Sequence, residues 1–430
     1  MELFVYRILL FNFIVGILFT VCYLYQFIYL LVALIRDTEK YPEGGAHRFA
    51  VIISARNERE VIGNLIASIK KQNYDSSLVD VFVCADNCTD DTAAVSREAG
   101  AIVYERFNNE LVGKGYALNY LFHKIFDDYG KEYYDAYLIL DADNLLDVNY
   151  LREMNRVFSA GYRIVTSYRN SKNFGSNWIT SGYALWFLRE AVYLNKPRMI
   201  LKNSCAVSGT GFMVHRDIIN ENDGWNYYLL TEDIEFTTDR IIKGEKIGLA
   251  ADAMLYDEQP ETFAQSWRQR LRWARGYLQV FRYYGGKLIR SIFGKGGFSA
   301  FDMTMTTMPA MFITILGIVV DIVALIIAIS RGDPDTYKFW IVLGMMFVTT
   351  YLTCFAFGTV TAITEWKKIH ASTGRKILSL FTFPLFMLTY LPIGFAAVFG
   401  KVEWKPIKHS VAKSIEDIEA EKKDDETKKK

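Results

Sequence analysis

The chain has 430 residues, of which 51% are hydrophobic and 15% aromatic, and its formal net charge is +1. That length exceeds one typical domain, and the apolar share exceeds that of an ordinary soluble protein of similar charge content, so the excess must be localised. A net charge this small leaves no basic surplus for a nucleic-acid partner, and 5 cysteines at scattered positions form no disulfide framework.

In chain order, residues 8–35 are almost unbroken apolar and aromatic, long enough to cross a hydrocarbon core that needs about 20 residues. The run is too long, and too rich in Phe, Tyr and Leu, for a signal peptide. Residues 1–36 therefore read as a retained transmembrane helix. Residues 48–262 alternate short β-branched strands with helical stretches, the pattern of a mainly parallel α/β domain. Residues 263–300 mix Trp, Arg, Tyr and Leu at helical spacing, which suits amphipathic helices lying at the headgroup level. Apolar runs return at 309–330, 339–363 and 378–399, inside a C-terminal membrane region spanning 301–400. The tail, 401–430, is mostly Lys, Glu and Asp and is expected to be disordered.

Lys367, Lys368, Arg375 and Lys376 place the loop before the last run, and with it the α/β domain, in the cytoplasm. Three full crossings after that domain would put the tail outside, whereas Lys401, Lys405 and Lys408 favour the inside. Pro384 and Pro392 interrupt the last run, so a re-entrant or broken segment is open.

Within the α/β domain the strand-end residues carry the chemistry, because ligands bind where parallel strands end. FAVIISARNERE (49–60) reads as a buried strand ending in Arg56, Asn57 and Glu58 at the mouth of a helix. VDVFVCADNCTDDTA (79–93) puts Asp86 at a strand tip, where it can accept hydrogen bonds from uracil or ribose. Asp90 and Asp91 suit capping of the next helix better than ligand contact. Lys114 sits between two glycines ahead of a helix. AYLILDADN (136–144) ends in Asp141 and Asp143, and Mg²⁺ or Mn²⁺ takes one or two such carboxylates together with phosphate oxygens. Solvated loop acids are the bland alternative. SGTG (208–211) brings Ser208, Gly209 and Thr210 together. TED (231–233) offers Glu232 and Asp233, and a carboxylate there can take the proton of an attacking hydroxyl. Helix capping is its structural alternative. In WRQRLRWARGY (267–277), Gln269 can hold a hydroxyl, Arg272 can pair with a pyrophosphate and Trp273 can stack on a sugar face, unless the segment only contacts membrane.

The ordered set Asp86, Asp141-Ala-Asp143, Thr231-Glu232-Asp233 and Gln269-Arg270-Leu271-Arg272-Trp273 resembles the D, D-x-D, T-E-D, Q-x-x-R-W signature of processive membrane family 2 glycosyltransferases. These include cellulose, chitin, hyaluronan and poly-N-acetylglucosamine synthases. The resemblance implies a GT-A nucleotide-diphospho-sugar transferase domain with transmembrane helices and interfacial helices. It implies Asp233 as base with Glu232 beside it, and Asn57, Glu58, Asp86, Lys114 and Asp141 at the nucleotide. Asp143, with Asp141, would hold Mg²⁺ or Mn²⁺. Ser208, Gly209, Thr210, Gln269, Arg272 and Trp273 would hold the diphosphate and the acceptor end. Ser208 stands where cellulose synthases have a cysteine.

The expected activity is inverting polymerisation of a β-linked polysaccharide from a UDP-sugar, with translocation across the plasma membrane and a cytoplasmic catalytic domain. UDP-glucose and a 1,4 or mixed 1,3/1,4 β-glucan are favoured over a UDP-N-acetylglucosamine-derived polymer. The partners implied are the UDP-sugar, the growing polysaccharide and the bilayer, with accessory subunits or a homo-oligomer open. A single addition to a lipid carrier is the competing enzyme reading. Asp321, an acid within an apolar run, raises a transporter as the remaining alternative.

Overall fold

The structure, a computed structural model, describes residues 2–332, 336–400, 402, 409, 411–418 and 420. Eight strands form one mixed sheet in the order β3-β2-β1-β4-β7-β6-β8-β5. They are β1 (Phe49–Ala55), β2 (Val79–Asp86), β3 (Ile102–Arg106), β4 (Ala136–Asp141), β5 (Leu145–Leu146), β6 (Ile164–Ser171), β7 (Phe212–His215) and β8 (Ile247–Asp257). The first four strands in this order are parallel, β7 runs against β4 and β6, and β8 runs parallel to β6. Strands β1, β2 and β4 are continuous apolar runs because helices cover both faces. Phe49, Val51, Ile52 and Ile53 are fully buried, and each contributes roughly 1.5–3 kcal/mol by leaving water.

The helices of this domain are α2 (Ile62–Lys70), α3 (Thr92–Glu98), α4 (Lys114–Tyr129), α5 (Tyr150–Ser159), α6 (Trp178–Glu190), α7 (Lys196–Ile200), α8 (Arg216–Glu221) and α9 (Glu232–Lys243). A π-helical turn, Ala191–Asn195, joins α6 to α7. Asn177 caps α6 with a reciprocal capping box to Thr180.

Around the domain lie α1 (Glu2–Ile35), α10 (Phe263–Ser291), α11 (Gly297–Thr307), α12 (Pro309–Ser330), α13 (Thr336–Thr364), α14 (Thr373–Leu388) and α15 (Tyr390–Phe399). Among the described residues, four stretches are long and apolar enough to cross a membrane: Tyr6–Ile35, Gly297–Ser330, Thr336–Thr364 and Thr373–Phe399. Helix α1 runs antiparallel to α11 and α12. Asn12 donates to Asp321 at 2.7 Å, while Tyr25 and Tyr29 donate to Asp302, each at 2.9 Å. Arg198 of α7 meets the same Asp302 through two bonds of 2.7 and 2.9 Å, so one buried carboxylate ties α1, α7 and α11 together. Removing one partner of such a pair strands the other charge, at a cost of roughly 3–5 kcal/mol.

Helices α14 and α15 form a broken segment lying against α6 and α10. Arg270, fully buried, donates to the Phe386 carbonyl at 3.1 Å and to Thr389 Oγ1 at 2.6 Å, which pins the junction of the two helices. Its guanidinium also sits 4.3 Å from the Phe386 ring and 4.9 Å from that of Tyr390. Both ends of the segment meet the α/β domain. On entry, Tyr168 donates to Glu365 at 2.6 Å and Asn170 to the Lys368 carbonyl at 2.9 Å. On exit, His409 reaches Glu58 at 3.0 Å and the Val411 amide reaches Glu258 at 3.1 Å.

This geometry corrects the expectation of a disordered tail for residues 409 and 411–418. Ile415 and Ile418 are buried against Leu145 and Tyr256, and the backbone takes a helical turn over 415–418. These two apolar residues, set three apart in a charged stretch, give the tail a seat that its composition conceals. Lys401, Lys405 and Lys408 lie outside the described residues.

Candidate active site

Strand tips from β1, β2 and β4, the loop before β7, the start of α9 and one face of α10 converge on a single cleft of about 220 Å³. Twelve of the fourteen residues singled out from the sequence line it: Glu58, Asp86, Lys114, Asp141, Asp143, Ser208, Gly209, Glu232, Asp233, Gln269, Arg272 and Trp273. Asn57 and Thr210 do not. Asn57 has φ 60° and turns its side chain to accept from the Thr89 amide at 2.8 Å. The Thr210 hydroxyl accepts from the Asp141 amide at 2.8 Å, so it buttresses the tip of β4 from behind.

At the outer end, Asp86 is buried and receives Arg106 Nη1 at 2.6 Å, which fixes the carboxylate at the end of β2. Asp90 accepts from the Thr92 amide at 3.1 Å just ahead of α3, whose N-cap residue Asp91 makes no side-chain cap bond. Lys114 opens α4 and donates to Asp141 at 2.5 Å and to the Gly209 carbonyl at 2.7 Å. Gly115 lets α4 sit this close, since a Cβ there would come within 2.0 Å of the Tyr227 carbonyl oxygen. Burial opposes the Lys114 charge, but Asp141 and Glu232 outweigh it and hold its pKa above the ordinary value.

In the middle, Asp143 accepts from the Glu258 amide at 3.1 Å, and His409 Nε2 stands 4.0 Å from it. Burial opposes the charge on His409, yet Asp143, Glu58 and Glu258 outweigh it and raise its pKa to about 10. Asp257 is pushed up to about 6, first by burial and against the pull of Arg169, with the charge of Asp143 adding to the rise. Among the described residues no three His, Cys, Asp or Glu side chains form a ready metal cage. The site is nevertheless rich in carboxylates, with Lys114 beside Asp141 and His409 beside Glu58 and Asp143. That donor set fits a hard divalent ion bound by one or two acids and completed by substrate oxygens, rather than an all-protein cage.

At the inner end, Asp233 accepts from the Gly209 amide at 2.7 Å, and Gly209 reaches this position with φ +75°, which favours glycine. Burial raises both Glu232 and Asp233, against the opposing pull of Lys114 and Arg272. Trp273 of α10 faces the cleft with its ring braced edge-on by Tyr183, 5.8 Å away, and by Phe187, 6.1 Å away. Beyond it the wall continues through Trp186, Glu190 and Tyr277. Sequence reasoning missed these three, together with Arg169, Asp257, Glu258 and His409, whereas Arg56, read at the end of the first strand, does line the cleft. One signal was present: Glu190 is an acid ending the apolar stretch of α6, and His409 is one of only 5 histidines.

The chain belongs to glycosyltransferase family 2: the family described as "Glycosyltransferase like family 2" matches residues 47–276. Among curated relatives it is 27% identical over 252 residues to the probable glycosyltransferase YdaM of Bacillus subtilis, covering 53% of this chain and 55% of that one. It is 24% identical over 254 residues to a beta-monoglucosyldiacylglycerol synthase of Synechocystis, covering 58% and 50%. To a poly-beta-1,6-N-acetyl-D-glucosamine synthase of Staphylococcus aureus it is 21% identical over 249 residues, covering 53% and 54%. The chain thus spans about half the length of the curated relatives it matches. Among solved structures, a mannosyltransferase from Pyrobaculum calidifontis, in complex with GDP-Man and Mn²⁺, superposes with TM-score 0.56 at 16% identity, covering 90% of this chain and 98% of that one. The fold is GT-A.

Proposed function

We propose that this protein is a hexosyltransferase that polymerises a β-linked glycan by inverting transfer from a UDP-sugar, with UDP-glucose and a 1,4 or mixed 1,3/1,4 β-glucan favoured. The observation that carries this reading is the convergence of these groups on one cleft. The strand-tip acids Asp86, Asp141 and Asp143, the α9 acid Asp233 and the Trp273 ring all line it, and Trp273 packs with Tyr183 and Phe187 against Phe386 of α14. Asp86 and Arg56 would hold the uridine. Lys114 and Arg272 would hold the diphosphate, with Asp141 and Asp143 gripping Mg²⁺ or Mn²⁺. When bound, such an ion supplies positive charge against the departing UDP. Asp233 takes the proton of the attacking acceptor hydroxyl as the new bond forms at the anomeric carbon, and Trp273 supports the acceptor sugar face.

The same reading extends to topology. Tyr6–Ile35, α12 and α13 cross the plasma membrane, while the α14–α15 segment leaves and rejoins the cytoplasmic side. This arrangement reconciles the basic loop near Lys368 with a tail whose His409 meets Glu58. A second reading, one hexose added to a lipid hydroxyl, is favoured by the monoglucosyldiacylglycerol synthase among the relatives. The test is incubation of detergent-solubilised protein with a panel of UDP-sugars and Mg²⁺ or Mn²⁺, with digestion of the product by linkage-specific glycosidases. A glucanase-sensitive product supports the first reading, and a product resistant to every glycan hydrolase but extractable as lipid supports the second.

A further inference from the structure

The acceptor end of the cleft contains a carboxyl that the transfer step does not use. Glu190 ends α6 where the helix gives way to the π-helical turn, a local irregularity often found at functional sites. The two neighbouring side chains part company there. Arg189 turns toward the membrane helices, donating to Gln26 of α1 at 2.9 Å with its guanidinium 5.3 Å from the Phe357 ring of α13. Glu190 turns into the cleft beside Ser208, Asp233 and Tyr277.

The cations whose charge reaches Glu190 are engaged elsewhere. Arg169 donates to Asp257 at 2.8 Å and to the Ser208 carbonyl at 3.0 Å, and Arg198 is bound to Asp302. Glu190 is left with the Ser208 side chain as a hydrogen-bond partner. Tyr277 lies in the fields of both Glu190 and Asp233, and burial followed by those two charges holds its phenol protonated, hence a donor. A wall carrying one buried carboxyl and one phenol beside the base costs desolvation unless a ligand satisfies it. A lipid hydroxyl brings one polar group, already consumed by Asp233. A sugar ring brings a neighbouring hydroxyl that both donates to a carboxylate and accepts from a phenol.

We propose that Glu190 is the residue that recognises the hydroxyl adjacent to the attacking one on a sugar acceptor, with Tyr277 as its accompanying donor. The proposal rests on the polymerase reading above and restricts its acceptor to a saccharide. It predicts selection by loss, because a site built to bind a hydroxyl rejects an analogue lacking it far more strongly than it rejects a small change in shape.

The experiment compares the wild type with Glu190→Ala and Glu190→Gln, using the full chain in detergent, UDP-glucose, Mn²⁺ and cellotetraose or its terminal 3-deoxy analogue. Three quantities are read: the KM for the saccharide, the Kd for UDP-glucose, and UDP release without acceptor. Glu190→Ala should raise the saccharide KM by about tenfold or more, with UDP-glucose Kd within about twofold. Glu190→Gln, which keeps an acceptor oxygen, should recover part of the loss. The 3-deoxy analogue should be poor for the wild type and no worse for Glu190→Ala. An unchanged saccharide KM in Glu190→Ala, or an equal loss of UDP-glucose binding, overturns the proposal while leaving the polymerase reading in place. A wild type that releases UDP yet elongates no saccharide overturns that reading, and this proposal with it.

Discussion

The Gly209 amide donates to the Asp233 carboxylate at 2.7 Å, so a positive-φ glycine in the loop before β7 aims an acid on a different element. This bond ties one oxygen of the proposed base to the loop. Asp233→Asn should lower kcat by about 10²–10⁴ while UDP-sugar affinity stays within a few-fold, measured by turnover and by calorimetry. Gly209→Val forces a β-branched side chain into the left-handed region, where strain of order 1–3 kcal/mol is expected. It should reduce kcat with a lesser change in melting temperature.

Burial lifts the Asp233 carboxyl above its ordinary value, with Lys114 and Arg272 pulling it back. Because the base works deprotonated, kcat/KM should fall as pH drops through this raised pKa, so the acid limb should lie above the range of an ordinary aspartate. Lys114→Met removes a positive charge that favours the carboxylate. The acid limb should therefore move to higher pH, whereas a shift to lower pH would contradict the electrostatic assignment.

Arg270 lies outside the cleft, yet its contacts fix the α14–α15 junction against α6. Arg270→Ala should cost roughly 1–3 kcal/mol through the acceptors it strands, besides the lost packing on two rings, read as a lowered melting temperature in detergent. Arg270→Lys should recover little of it, since one ammonium cannot both donate to the Phe386 carbonyl and Thr389 and stack on two rings.

The topology has a separate test. Single cysteines placed at Ser414 and Ser372 should be labelled by a membrane-impermeant thiol reagent from the same side, and a cysteine at Gly332 from the opposite side. Labelling of Ser414→Cys together with Gly332→Cys would mean that α14–α15 crosses the bilayer.

The sequence was legible where chemistry is written in contiguous residues. Asp141 and Asp143 share one strand tip, Thr231 to Asp233 open one helix, and Gln269, Arg272 and Trp273 share one helical face at i, i+3 and i+4, so local spacing revealed them. Glu190, Arg169, Glu258 and His409 come from four separate elements, and only the folded sheet brings them to the cleft. The tail misled for a related reason. Two isoleucines three residues apart decide where it docks, while the lysines and acids around them decide its composition. Asn57 and Thr210 stand beside strand tips as read, but backbone direction turns their side chains away from the cleft.

The most direct measurement is the length of the product made from labelled UDP-glucose by purified wild type and by Asp233→Asn. A long glucanase-sensitive polymer from the wild type, absent from Asp233→Asn, is the predicted result. A single labelled glycolipid from the wild type, or polymer undiminished in Asp233→Asn, would contradict the account.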